Sequence, residues 1–314
     1  MEAGSGVRIL NVDDNDVGRY AVSRILKHAG FEVLEAATGS EALKLALGMP
    51  DLILLDVNLP DINGFEVCRH LKSNPATQAI PILQLSATYK DSKSTVNGLE
   101  GGADGYLTQP VDPPVLLAHV RALIRSASLE KRLLRTNRFL RALSHCNQAL
   151  LRSETESDLT QEVCRILVEV AGHAFVWVGL CEPDSSSTIR PVATWGDDKG
   201  LLEMSMAAFN QSEVGCCPMG EAVSTGEPVV VKDIRTDSRC EPWRSEALKR
   251  GFGSAFALPL VVRSSVWGGI SIYSETGGIF DEEEREQLLQ LAQDLSYGIE
   301  SLRTREEATR IQRE

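Results

Sequence analysis

Three aspartates carry the first chemical signal in this chain. Asp13 and Asp14 close the apolar run Val7-Arg8-Ile9-Leu10-Asn11-Val12, and Asp56 closes a second, Leu52-Ile53-Leu54-Leu55. Carboxylates at the ends of buried strands have two uses. They can cap the helices that follow, as Asp14 or Asp16 would here, or they can converge on one cleft. Two unit charges about 4 Å apart repel by roughly 4 kcal/mol at an effective dielectric of 20, so a converging trio calls for a divalent cation. An all-oxygen ligand set favours Mg2+ over zinc. Ser86 ends a further apolar run and offers a hydroxyl, and Gln109-Pro110 follows the last run with a polar side chain in reach of the same cleft.

The elements that must position these groups alternate in period. Strands are expected at 7–12, Phe31–Leu34, Leu52–Asp56, Ile80–Leu85 and Gly105–Leu107. Between them lie amphipathic helical patterns: Val17 to Leu26, Glu41 to Leu47, Phe65 to Leu71 and Ser92 to Leu99. A last helix starts near Asp112 and runs through Leu116, Val120 and Ile124. Short apolar strands alternating with helices predict parallel strands covered on both faces, a doubly wound α/β domain with its site at the carboxyl ends of the strands.

Residues 7–125 resemble, along their whole length, the receiver domain of two-component response regulators. The resemblance rests on Val12-Asp13-Asp14, on Leu54-Leu55-Asp56-Val57-Asn58-Leu59-Pro60 with Gly64, on Ser86-Ala87, and on Gly102-Ala103-Asp104-Gly105-Tyr106-Leu107-Thr108-Gln109-Pro110. It implies a flavodoxin-like fold with strand order 2-1-3-4-5, Asp56 as phosphoacceptor, and Mg2+ held by Asp13, Asp14, Asp56 and the Asn58 main-chain carbonyl. It also implies Ser86 and Tyr106 as the switching hydroxyl and aromatic positions. The expected partner is a cognate histidine kinase or phosphotransfer protein. A carboxylate is a recognised phosphoryl acceptor, and a metal neutralises charge in the transfer. One position departs from the family. The residue before the proline is usually lysine and here is Gln109, whose amide donates a hydrogen bond without charge. Either phosphorylation survives with weaker coupling to the output, or the domain signals without it.

Residues 126–152 are a basic segment of net charge +5 between blocks of −4 and −13, which marks a connector. Leu129, Leu133, Thr136, Leu140, Leu143, Asn147 and Leu150 follow a 4-3 spacing, the seam of a coiled-coil homodimer or of a packed intramolecular helix. Phe139 to His145 resembles the histidine box of sensor kinases, but Cys146-Asn147-Gln148-Ala149 does not continue it, so His145 is read as a helix-surface residue.

The remaining block opens with a helix at Leu159–Val170. Strands are expected at Ala174–Leu180, Val229–Val231, Phe256–Val262 and Val266–Tyr273, with a turn at 263–265 and a closing helix at Asp281–Leu302. Ser185-Ser186-Ser187 and Ser274 to Gly278 read as loops. Helices around an antiparallel meander make an α+β domain. Met219-Gly220 to Ile234, Pro242-Trp243 to Gly251, Ser254 to Leu260, Trp267-Gly268 to Ser274 and Phe280-Asp281-Glu282 together resemble a GAF domain. That resemblance implies a sensor or dimerisation module and leaves the ligand unknown. Cys216, Cys217 and Cys240 lack metal-site spacing and read as structural thiols. His173 reads as a helix-end residue and the four tryptophans as core or pocket wall. Phe280-Asp281-Glu282 reads as a helix N-cap.

Composition bounds the rest. The 314 residues carry a net charge of −12, which argues against nonspecific nucleic-acid binding. No apolar run reaches the roughly 18 residues of a membrane span, and no secretory signal is visible. Seven cysteines without framework spacing fit a reducing cytoplasm. The domains expected are a receiver at 1–125, a connecting helix at 126–152, a GAF domain at 153–302 with its first helix from about 137, and a charged helical tail at 303–314. With no kinase, cyclase or DNA-binding block legible, the chain reads as a non-catalytic signal transducer. The alternatives are the sensory part of a hybrid histidine kinase, or a small-molecule-binding GAF module with a silent receiver.

Overall fold

The computed structural model describes residues 6–86, 102–182, 185–198, 200, 202, 217–262, 265–275, 277 and 280–313. They fall into two units, Met1–Leu133 and Leu134–Glu314. The helix expected over 92–99, Ala87, Cys216, the 263–264 part of the turn, and Gly278 lie outside the described residues.

In the first unit, strands β1 (Arg8–Val12), β2 (Glu32–Ala36), β3 (Leu52–Asp56), β4 (Ile82–Ser86) and β5 (Gly105–Thr108) form one sheet in the order β2-β1-β3-β4-β5. Every pairing is parallel. The unbroken apolar runs follow from the period-two geometry of strands, because both faces are covered. Leu10, Val12, Ile53 and Leu55 pack with Val67, Cys68 and Leu71 of helix α3 (Gly64–Ser73) and Ala42 and Ala46 of α2 (Gly39–Ala46). Ile9, Leu52, Leu54, Leu83 and Leu85 face the other way, onto Val22 and Leu26 of α1 (Asp16–His28) and Leu116 and Val120 of α4 (Pro113–Arg152).

Helix starts are set by side-chain oxygens that accept otherwise unpaired N–H groups. Asn15, rather than Asp14 or Asp16, caps α1 by accepting from the amides of Val17 and Gly18. Thr38 caps α2, with Asp61 accepting from Gly39 and Ser40, and Asn63 caps α3. The last receiver helix and the basic segment are not separate elements, because α4 runs unbroken from Pro113 to Arg152.

The second unit has an antiparallel sheet in the order β7-β6-β10-β9-β8, from β6 (Phe175–Glu182), β7 (Ser185–Gly196), β8 (Val229–Val231), β9 (Ser254–Val262) and β10 (Ser265–Ser274). Ser185-Ser186-Ser187, expected as a loop, starts β7. An edge strand needs no apolar run, and the edge also accommodates Pro191. One face of the sheet packs against residues of α4, α5 (Glu156–Glu169) and α8 (Glu282–Arg313). The other carries a second core with Phe175, Trp177, Met219, Trp243 and Tyr273, covered by α6 (Pro218–Thr225) and α7 (Arg244–Lys249). The tail from 303 continues α8 to Arg313.

The stripe of α4 that enters the core is Phe139, Ala142, Cys146 and Ala149. It lies one residue before the 4-3 seam. Of that seam, Leu143 and Leu150 are half-buried against the core, whereas Leu129, Leu133 and Leu140 are 60%, 68% and 54% exposed. Asn147 is exposed as well. The plain core-helix alternative therefore accounts for only part of the seam.

Candidate functional site: an acidic cleft at the strand ends

Strand geometry delivers the aspartates. β1 and β3 are adjacent and parallel, with Val12 opposite Leu55, so Asp13 and Asp14 leave one strand beside Asp56 at the end of the next. One carboxylate oxygen from each of Asp13, Asp14 and Asp56 lies within 4.8 Å of the others. Asp13 and Asp56 are 3% and 8% exposed, and Asp14 is exposed.

Asp13 is held by the amide of Asn15, which donates to its Oδ1 at 2.8 Å. The amide of Val57 donates to Asp56 Oδ1 at 2.8 Å, and the Asn58 amide donates to the same carboxylate. Even so, burial and then the neighbouring charges of Asp13 and Asp14 push the Asp56 carboxyl up to about 6. Burial likewise raises Asp13. Like charges have been gathered without enough compensation from the chain itself, and a hard cation would supply what is missing. The donor set, all oxygen and partly open to solvent through Asp14, fits Mg2+.

The other expected groups stand around this cleft. Ser86, 2% exposed, ends β4 one residue beyond Leu85, which lies opposite Asp56. Gln109 is half-buried, and its main-chain N–H donates to the Ser86 carbonyl at 2.7 Å. Tyr106 pairs with Gln84 in the ladder, and its buried hydroxyl makes no hydrogen bond among the described residues. Asn58 is exposed just after Asp56.

Two supports gain a role only from the structure, Gly64 of the strand-three motif and Arg19. Gly64 sits so close that a Cβ there would lie 2.1 Å from the Asp56 carbonyl, so only glycine lets α3 start against this loop. Arg19 donates to the Asp13 carbonyl at 2.6 Å, pairs with Asp16, and partly offsets the rise at Asp13. The signal for Arg19 was its i+3 spacing from Asp16.

Three parallel-sheet carboxylates in this setting match a known pattern, and comparison with known proteins gives it a name. The family model for the response regulator receiver domain matches residues 9–121. Residues 9–121 are a response regulator receiver domain. A GAF domain model matches the receiver's sequel, residues 153–300. Among curated relatives, the DNA-binding dual master transcriptional regulator RpaA of Synechocystis is 40% identical over 139 residues, covering 44% of this chain and 54% of that one. The response regulator PleD of Caulobacter vibrioides is 42% identical over 120 residues, covering 38% and 26%. The chain thus spans about half or less of the length of these relatives. A chemotaxis response regulator of Vibrio cholerae is 35% identical with a TM-score of 0.36, covering 37% of this chain and 98% of that one. The receiver domain of a Pseudomonas aeruginosa sensor histidine kinase is 28% identical with a TM-score of 0.36, covering 38% and 98%, and has a magnesium ion coordinated in its active site cleft.

The thiol and aromatic readings of the GAF domain also have positions. Cys217 caps α6, its sulfur accepting from the Gly220 amide at 3.3 Å. Cys240 is fully buried, and burial pushes its thiol up to about 12, which suits an inert thiol. Trp177 and Trp243 lie in the second core, Trp195 and Trp267 are half-buried, and Asp281 caps α8 through the Glu284 amide. His145 is on the surface of α4. No described helix is long and apolar enough to cross a membrane.

Proposed function

We propose that the chain is a cytoplasmic two-component signal transducer in which Asp56 accepts a phosphoryl group from a histidine kinase or phosphotransfer protein. Asp13, Asp14, Asp56 and the Asn58 carbonyl would hold Mg2+, which would supply neutralisation of the charge of the transferring group. The observation that carries this reading is the three carboxylates within 4.8 Å of one another, with Asp56 raised to about 6. In the transfer the Asp56 carboxylate attacks phosphorus, the bond to the donor breaks, and the donor leaves with that electron pair. The phosphoryl group adds about −1.5 to −2 of charge to the cleft. Ser86 and Tyr106 respond to it, and Gln109 supplies a hydrogen bond without the charge of a lysine.

The signal passes along α4 to the GAF domain, which acts as sensor and dimerisation module with no catalytic step of its own. Exposure of Leu129, Leu133 and Leu140 on α4 supports a homodimer through that helix, since exposed leucines in a 4-3 pattern gain from a second helix.

A small-molecule phosphodonor with Mg2+ should add one phosphoryl group, read as a mass increase. Removal of Mg2+ or the Asp56→Asn substitution should abolish it. No mass increase with any donor would leave the receiver silent. Light scattering should give about twice 34.3 kDa, and Leu133→Asp with Leu140→Asp, which buries charge in a dimer seam, should give monomers.

A further inference from the structure

Outside the acidic cleft, a second group of titratable side chains is built into the GAF unit and takes no part in the chemistry above. His173 lies between α5 and β6 and is 4% exposed. Its Nδ1 is 3.1 Å from Ser274 Oγ at the end of β10, and its ring stacks on Phe280 at 5.9 Å. The other nitrogen, Nε2, is buried without a hydrogen-bond partner among the described residues and faces Glu284 Oε1 at 3.8 Å. Glu284 stands in the first turn of α8. Its second oxygen accepts from Arg135 Nη2 of α4 at 3.0 Å.

One carboxyl therefore stands between two partners and bonds only one. The 3.8 Å gap is itself informative. An N–H on Nε2 facing an ionised carboxylate would close to about 2.8 Å, whereas a lone pair is held off. A proton on Nδ1, donating to Ser274 Oγ, is consistent with this gap and leaves Nε2 as an acceptor without a donor among the described residues. We propose that Glu284 is a proton-controlled latch with two positions: ionised, it holds Arg135 of α4, and protonated, it donates to Nε2 of His173 and releases the guanidinium. The proton comes from solvent and binds the carboxylate, and no other bond changes.

The surroundings favour such a latch near neutrality. Burial pushes the Glu284 carboxyl up to about 7, with Arg135 opposing and Asp281 adding to the rise. Burial and the Arg135 charge push the His173 imidazole down to about 4, so the ring stays neutral while Glu284 titrates. The charged groups that face the pair are Arg135 on α4 and Asp281 on α8. Arg138, also on α4, has its guanidinium beside Gly172, one residue before His173. From β10 the pair meets the neutral Ser274 hydroxyl. The latch thus ties the grip of α4 on the start of α8 to proton uptake. It stands apart from phosphorylation of Asp56 and does not depend on it.

The test is 15N-histidine NMR of the full chain, with His173 assigned by the loss of its signals in His173→Gln. From about pH 5.5 to 8.5, His173 should keep a neutral ring protonated at Nδ1, with its Nε2 signal inflecting near 7. The inflection should vanish in Glu284→Gln. It should move to higher pH in Arg135→Met, which removes the opposing charge from a side chain 45% exposed and so tolerant of replacement. Imidazolium formation at His173 within that range, an inflection that survives Glu284→Gln, or one unmoved in Arg135→Met would overturn the proposal.

Discussion

The acidic cleft of the receiver and the His173–Glu284–Arg135 group of the GAF unit both hold titratable side chains away from water, with opposite logic. In the cleft, three charges of one sign are brought together by parallel strand ends, and the chain answers them with backbone amides alone at Asp56. In the GAF group, a half-buried carboxylate meets a guanidinium at 3.0 Å, while a neutral imidazole stands by. The first arrangement is poised for an external cation or a covalent group. The second is complete within the chain and changes only with a proton. Removing a charge should accordingly stabilise one region and weaken the other.

The largest effect is expected at Asp56. Its carboxyl is about 6 in the folded chain against 3.8 ordinarily, so the folded state binds the proton more tightly than the unfolded one. That contribution is complete below 3.8 and is lost as pH rises through 6. In metal-free buffer at pH 7.5, Asp56→Asn should therefore exceed wild type in stability by about 2–3 kcal/mol, and the gap should close towards pH 4. Denaturant unfolding in the presence of a chelator measures it. Added Mg2+ should raise wild type more than the variant, since a ligand of the folded state stabilises by mass action. A variant less stable than wild type at pH 7.5 would mean the cleft is not strained by like charge.

The opposite sign is expected in the GAF unit. Arg135→Met leaves the half-buried Glu284 carboxylate without this cation. Because the guanidinium is half-exposed, the loss should be about 1–2 kcal/mol at pH 8. Below pH 6, where Glu284 holds its proton, the difference from wild type should fall towards zero. A loss equal at both pH values would show that Arg135 acts through packing of its stem and not through charge.

How much of this was legible in the sequence differs between the regions for a physical reason. In the receiver, apolar runs, strand-end acids and turn residues are local signals, and parallel pairing converts them directly into a cleft. The GAF group joins Arg135, His173 and Glu284, residues far apart in the chain, and no local pattern announces it. The α4 seam shows a subtler limit. The leucines at 129, 133 and 140 suggested the packing stripe, yet Phe139, Ala142, Cys146 and Ala149 are buried. Small residues let a helix come close to its neighbours: a Cβ at Gly298 of α8 would lie 2.3 Å from Leu150 of α4. Hydropathy ranks leucine above alanine and so does not pick out the face that enters the core of its own chain. The whole of β7, Ser185–Gly196, was not legible, because an edge strand can be polar and needs no apolar run.

The smallest effect is expected at Gln109, where the receiver departs from its family. Gln109 follows β5, and its main-chain N–H is tied to the Ser86 carbonyl, so the residue is fixed at the cleft's border whatever its side chain. A lysine there would add one positive charge beside three carboxylates. In metal-free buffer Gln109→Lys should stabilise the fold by about 1 kcal/mol at pH 7.5, with the gain shrinking as salt screens it. The same ammonium competes with Mg2+ for the carboxylates. Affinity for Mg2+ should therefore fall roughly fivefold, the factor that corresponds to about 1 kcal/mol. After phosphorylation the balance reverses. The added phosphoryl charge gives the ammonium a new partner, and a switch is biased only by interactions that differ between its two states. Wild type, lacking that contact, should be only partly shifted, and Gln109→Lys should move Tyr106 ring signals further towards the phosphorylated limit. Equal Mg2+ affinity in the two proteins would place position 109 outside the reach of the cleft's field and remove this account of the departure.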